Sequence, residues 1–183
     1  MSRLAQGHDA ALNELMERHG ERLYHFLHRV LQNETEAADL AQEAFVRIYQ
    51  NKHKFNVSQK FSTWLFTIAT NLARDRIRWR RRHPTVSIDA ENPITGHDYR
   101  ELLPDTGNTP SEDLEKRELA AQVKEAIGQL PEDQRDALIL SEYEDASAAD
   151  IATILRCSSK AVENKLYRAR KALKELLPDF LRQ

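Results

Sequence analysis

Two stretches of this 183-residue chain concentrate side chains able to grip nucleic acid. Arg74, Arg76, Arg78, Arg80, Arg81 and Arg82 crowd the first; Lys160, Lys165, Arg168, Arg170, Lys171 and Lys174 crowd the second. Guanidinium and ammonium groups bind phosphates, which positions a protein without reading sequence. Reading needs mixed donors and acceptors on an element that fits the major groove. The second stretch supplies them. At about 100° per residue, Val162, Leu166, Ala169, Leu173 and Leu176 form one apolar stripe, and Lys160, Glu163, Asn164, Tyr167 and Lys171 fall opposite, with Arg168 at the edge. Asn164 suits adenine, Glu163 can accept from cytosine, and Tyr167 can meet a thymine methyl or a phosphate. Lys160, Arg168 and Lys171 would engage phosphates.

A charged helical face is more often merely solvated. The preceding residues favour DNA binding instead. Ser147 is suited to cap a short helix, Ala148 to Leu155, that turns Ile151, Ala152 and Leu155 toward a core. Arg156-Cys157-Ser158 makes a tight connection, and Ser158 can cap the longer helix that follows. The pattern is that of a helix-turn-helix.

Other chemistry finds little support. The seven histidines are dispersed, and His25 and His28 share a helical side without a third ligand in a metal-site pattern, so neither a metal nor a cofactor is expected. Cys157, the single cysteine, cannot form an internal bridge; its place in the turn calls for a small buried side chain, with redox sensing the lesser reading. No glycine-rich phosphate loop occurs, and no enzymatic activity is expected.

The net charge of −2 and pI near 6.4 exclude a protein that coats nucleic acid indiscriminately, while 40% apolar and 31% charged residues suit a folded chain. No apolar run reaches the roughly 18 to 20 residues needed to cross a bilayer, and Met1 to Asp9 lacks the apolar segment of a signal peptide. A cytoplasmic protein without membrane insertion is expected.

Helical spacing must then position these side chains. Leu12, Leu15, Met16, His19, Leu23, Phe26, Leu27 and Val30 mark a first helix with Asp9 as N-cap. Ala37, Leu40, Ala41, Ala44, Phe45 and Ile48 mark a second, after a capping box of Asn33 and Glu36, with Asp39, Glu43 and Arg47 on its other side. Trp64, Leu65, Ile68 and Leu72 mark a third, which aligns Asn71, Arg74, Asp75 and Arg78 opposite. Pro84, Pro93, Gly96, Pro104 and Gly107 break the pattern. Thr109-Pro110-Ser111-Glu112 restarts helix, continuing through Leu119, Val123, Ala126, Ile127 and Leu130; Pro131 opens another helix with Ala137, Leu138 and Leu140. An all-α chain is predicted: two small helical domains, 1–83 and 109–183, joined by a flexible linker at 84–108, with a helix-turn-helix in the second.

Residues 147–158 (Ser147-Ala148-Ala149-Asp150-Ile151-Ala152-Thr153-Ile154-Leu155-Arg156-Cys157-Ser158), continuing through Ala161 to Arg170, resemble the promoter-reading C-terminal domain of extracytoplasmic-function sigma factors of bacterial RNA polymerase. Leu130 to Arg135 resembles the start of that domain. Independently, Ala38-Asp39-Leu40-Ala41-Gln42-Glu43-Ala44-Phe45 resembles the family's polymerase-binding helix, and Phe61 to Asp75 its promoter-opening region. The resemblance implies a factor that binds core RNA polymerase, mainly the β′ clamp and β flap, carries it to promoter DNA, helps open the duplex and is held by an anti-sigma factor.

Residue by residue, it implies that Asp39, Gln42, Glu43 and Phe45 meet polymerase, although Phe45 lies nearer the apolar side and reads better as core. Phe55, Asn56, Ser58 and Lys60 fall in the stretch that holds a base expelled from the minus-ten element. Asn71 would lie near the opened bases, while Arg74, Arg76 and Arg78 would hold adjacent phosphates unless they are simply a solvated helix end. Ser159, Lys160, Glu163, Asn164, Tyr167, Arg168 and Lys171 would meet the minus-thirty-five element. Glu163 and Asn164 depart from the family's common basic-then-small pair, which leaves the recognised sequence open. Phe61 and Trp64 invite a role as melting wedges, but the spacing of Trp64 with Leu65 and Ile68 favours core. An operator-binding regulator that needs no polymerase is the main rival, and an interaction protein that binds no DNA the second.

Overall fold

Five of the first 35 residues carry a side chain suited to cap a helix, Ser2, Asp9, Asn13, Asn33 and Thr35, and competition for their polar atoms settles which of them do so. In the computed structural model, which describes residues 1–83 and 110–177 and the side chains of these outside 110–117, Asn33 is extended and its Oδ1 accepts from Glu36 N at 2.9 Å, opening α3 (Glu34–Gln50). The reciprocal half of the capping box is missing, because the Glu36 carboxylate turns instead to Arg76 at 3.4 Å and Arg80 at 3.2 Å. Asp9 does not cap α2 (Ala10–Leu31) through its side chain, contrary to expectation. Its carboxylate accepts from Tyr49 Oη at 3.0 Å and Lys52 Nζ at 2.9 Å, tying the start of α2 to the end of α3. A short helix not foreseen, α1 (Ser2–Ala5), precedes them and buries Leu4 completely.

The third long helix, α4 (Phe61–Arg82), packs against α2 and α3. Leu23, Phe26, Ile48, Leu65 and Ala69 fill the space between them, and Phe26 meets Phe66 edge-on at 5.1 Å. Trp64 packs against this core as its spacing suggests, half-buried beside Phe55 at 5.1 Å.

The chain resumes with α5 (Pro110–Gln129), whose first residue is the proline expected there; the linker at 84–108 and the Thr109 cap lie outside the described residues. Then follow α6 (Glu132–Glu142), α7 (Ala148–Leu155) and α8 (Ser159–Leu176). Ile139, Leu140, Ile151, Val162 and Ala169 close the second unit, and each side chain of valine size or larger that is fully buried contributes roughly 1.5–3 kcal/mol. Every regular element among the described residues is helical.

The two units touch. α7 packs on α4 and α6 on α2. Across the contact, Arg22 donates to Glu144 Oε2 at 3.2 Å and to its backbone oxygen at 3.0 Å, Arg29 lies 4.1 Å from the Tyr143 ring centroid, and Gln32 donates to Lys124 O at 2.8 Å. Gly128 permits this approach: a Cβ there would stand 2.5 Å from Gln32 Nε2.

Candidate nucleic-acid interface

The helix-turn-helix is built by two serine caps and one strained residue. Ser147 Oγ accepts from Asp150 N at 3.1 Å and Ser158 Oγ from Ala161 N at 3.2 Å, so each helix starts with a satisfied donor. Between them Arg156 takes the left-handed conformation (φ 53°, ψ 48°) that ends α7. That geometry fixes the start of α8 and hence which of its faces turns outward. Val162 and Ala169 are buried and Leu166 and Leu173 half-buried, as the stripe predicts; Leu176, expected in the same stripe, is exposed where α8 runs out of partners.

Opposite that stripe, Ser159, Lys160, Glu163, Asn164, Tyr167, Arg168 and Lys171 are all exposed, Tyr167 to 69%. A tyrosine that open, flanked on one helical face by an amide and cations, has nothing of its own chain to bury it. Lys160 Nζ lies 3.1 Å from Glu163 Oε2, which partly neutralises both. Lys165 and Arg170 belong to the same basic stretch but turn toward α6, to Asp133 and, at 2.7 Å, to Glu142. They anchor α8 to α6. The basic stretch is thus divided between a docking edge and an outward face, a division the sequence count did not make.

The second cluster is divided more sharply. In the 55–60 stretch Phe55 is half-buried against Trp64 and 6.4 Å from Phe61, and Asn56 Oδ1 accepts from Ser58 N at 3.0 Å, closing a tight turn that leaves Val57 72% exposed. Asn56, Ser58 and Lys60 are exposed, and Asn71 is half-buried on α4. The arginines expected to act together do not share a face. Arg74 is directed at the second unit, 2.9 Å from Asp136 and 3.5 Å from Glu132; Arg76 is directed at Glu36 of α3; Arg78 pairs with Asp75 within its own helix. Steps of two residues rotate about 200° around a helix, which separates Arg76 from the other two.

On α3, Asp39 and Gln42 are exposed, and Glu43 holds Arg47 at 2.6 Å. Phe45 is only 4% exposed and joins the core, so it adds nothing to the outward surface that Asp39 and Gln42 offer.

The residues missed by sequence are the acidic partners of this face. Asp150 accepts from Lys60 Nζ at 2.8 Å and Thr63 Oγ1 at 2.9 Å, and hydrogen bonds from Lys60 and Ser147 hold its carboxyl down at about 2. Asp136 is completely buried, and burial outweighs the pull of Arg74, pushing its carboxyl up to about 6. These partners lie 62 to 90 positions apart along the chain, so no local spacing could have flagged them. Among the described residues no group of three His, Cys, Asp or Glu side chains could hold a metal ion, and no helix is long and apolar enough to cross a membrane.

Residues 15–83 match the Sigma-70 region 2 family and residues 120–173 the Sigma-70 region 4 family. The chain is 33% identical over 184 aligned positions to the ECF RNA polymerase sigma factor SigW of Bacillus subtilis, covering 98% of this chain and 96% of that one. It is 32% identical to the RNA polymerase sigma-H factor of Pseudomonas aeruginosa, over 100% and 94% of the two chains. Among solved structures it resembles CnrH in complex with the cytosolic domain of CnrY, with a TM-score of 0.68 and 26% identity over 96% of this chain and 92% of the other. Two matched regions in family order, with the outward-facing helix inside the second, account for both basic clusters at once: the chain belongs to the extracytoplasmic-function sigma factors, which direct RNA polymerase to promoters.

Proposed function

We propose that the two units divide the promoter between them. The second unit, taken as 109–183, reads duplex at the minus-thirty-five element through α8. Asn164, Glu163 and Tyr167 face base edges there, and Ser159, Lys160, Arg168 and Lys171 engage the backbone. The first unit, 1–83, handles the minus-ten element: the 55–60 turn receives an expelled base against Phe55, with Asn56, Ser58 and Lys60 around it, while Asn71, Arg74 and Arg78 attend the opened strand and its phosphates. Arg76, directed at Glu36, serves α3 packing in this scheme. Asp39, Gln42 and Glu43 form the acidic docking surface for the β′ clamp of core RNA polymerase, and the second unit meets the β flap. Residues 84–108 join the units; at about 3.3 Å per residue an extended segment of that size spans roughly 80 Å, enough to cover two turns of DNA.

The observation that carries this reading is the exposed strip on α8, seven polar side chains aligned on a helix whose other side is buried and whose start is capped. The work so described is binding, without catalysis, and belongs in the cytoplasm with polymerase and DNA. An anti-sigma partner is part of the same proposal. The test is transcription in vitro: adding the protein to core polymerase should create new promoter-specific starts. Repression alone, or no change, would replace this reading with that of an ordinary operator-binding regulator.

A further inference from the structure

One cleft lies apart from every surface assigned above. The end of α2, the last turns of α4 and the facing turns of α5 and α6 enclose about 340 Å3, lined by Leu31, Ile77, Arg80, Arg81, Glu125 and Arg135 among others. None of these three arginines belongs to the sets given to DNA or polymerase. They face one carboxylate in the lining, Glu125, which is exposed and pairs with none of them among the described residues. The cations are poorly satisfied. Among the described residues Arg135 forms no ion pair and a single hydrogen bond, from Nη1 to Gly128 O at 3.4 Å, and its Nε is buried without a partner. Arg81 reaches Glu132 only at 3.9 Å and Arg80 reaches Glu36 at 3.2 Å, while Arg74 draws on the first of these carboxylates and Arg76 on the second. Burial holds the Arg135 guanidinium below its ordinary value against the pull of Asp136 and Glu132, and Arg81 and Arg80 push it further down. A partly buried cation repelled by two others is destabilising, and an anion placed among them removes that penalty.

We propose that this cleft is a binding site for a phosphate-bearing small molecule, whose phosphate oxygens are held by Arg80, Arg81 and Arg135. Guanidinium groups suit phosphate because a planar fork of N–H donors meets two oxygens at once. Three cations also call for more than the single charge of a carboxylate. The volume lies near the lower end of the roughly 300–1,000 Å3 usual for small-molecule sites, which admits pyrophosphate or the phosphates of a nucleotide. A ligand can reach them, since the side chains of Arg80 and Arg81 are 39% and 69% exposed.

The test is isothermal titration of the full chain with pyrophosphate, ATP and adenosine, in EDTA at constant ionic strength. Pyrophosphate and ATP should each bind saturably, and adenosine, which carries no phosphate, should not bind. Arg135→Gln should weaken both anions about tenfold or more, as loss of a charge-assisted hydrogen bond does. Arg81→Gln changes an exposed side chain whose ion pair is long, and should weaken them about threefold to tenfold. Arg82→Gln removes the same charge from the same helix at an exposed position outside the cleft, and should leave affinity within about twofold. Equal affinities for pyrophosphate and ATP would support a site made for phosphates alone, and tighter ATP binding a site whose walls also hold the nucleoside. No saturable binding of either anion would overturn the proposal. Equal losses in the Arg81, Arg82 and Arg135 variants would reduce the effect to net charge and overturn it as well, and binding of adenosine as tight as that of ATP would show that the arginines are not the site. Should circular dichroism show Arg135→Gln unfolded, the comparison of Arg81→Gln with Arg82→Gln decides.

Discussion

Replacing Asp136 by asparagine should stabilise the folded chain at neutral pH, although it removes a carboxylate that touches an arginine. Asp136 is 0% exposed; its Oδ2 accepts from Arg74 at 2.9 Å, and its Oδ1 is buried without a hydrogen-bond partner. Burial raises its carboxyl to about 6 from 3.8, with Arg74 and Arg135 pulling the other way and Glu132 adding repulsion. The sign follows from linkage. A carboxyl that holds its proton more tightly in the folded chain than in the unfolded one weakens folding when ionised, and that penalty fades as pH falls through about 6 toward 3.8. A difference of roughly two pH units corresponds to about 3 kcal/mol at neutral pH. Asparagine removes this penalty but leaves an amide N–H where Oδ1 had no partner, a cost of about 1–2 kcal/mol. Arg74 is not stranded, since Glu132 stays within 3.5 Å and the guanidinium is partly open to water.

Urea unfolding of both chains at pH 7.5 and 4.5 measures the effect. The variant should be more stable by about 1–2 kcal/mol at pH 7.5, and the gap should shrink by about 2 kcal/mol at pH 4.5. His19 and His28, whose rings burial holds below their ordinary value, lose stability on acidification in both chains and cancel in the difference. Asp150, held at about 2, contributes stability that is lost only as pH falls from about 3.8 toward 2, below the window. A variant less stable than wild type at pH 7.5, or a gap that ignores pH, would mean that attraction to Arg74 exceeds the cost of burial and would refute the reasoning.

Arg156→Gly relieves a left-handed residue at the turn and should stabilise the chain by about 0.5–1 kcal/mol, read as a rise of a few degrees in Tm. Val162→Ala empties a fully buried site beneath the outward face of α8 and should cost about 2 kcal/mol in the same measurement. Asn164→Ala should relax base preference at one promoter position, worth about 1–3 kcal/mol in competition between sites, whereas Lys171→Ala should weaken all sequences alike and reduce the salt slope of binding by about 1.

Much of each unit could be read from the sequence because it is governed by local rules. The Ser147 and Ser158 caps, the Pro110 start of α5 and the buried Val162 and Ala169 all depend on neighbours within a few residues. Two of the failures share a cause. Spacing alone puts Asp9 and Glu36 in caps, yet each carboxylate meets cations brought near by packing, Lys52 for one and Arg76 and Arg80 for the other. A local hydrogen bond to a backbone N–H loses to a charged partner when tertiary structure supplies one.

The same competition explains why the outward face of α8 was legible and the face of α4 was not. On α8 the cations with acidic partners in α6, Lys165 and Arg170, sit beside the buried stripe, and those opposite it are exposed, Lys160 pairing within α8 to Glu163, so helical angle alone sorts them. On α4 both sides are contested: Arg76 goes to α3 and Arg74 to α6. Angle separates the two arginines but says nothing of what waits on each side. That requires knowing that α6 and α7 fold back across α4, a contact between residues 62 to 90 positions apart whose carboxylates, read one at a time, look like any others on a helix. A charge pattern therefore locates a nucleic-acid face only where no other unit of the chain can reach it first.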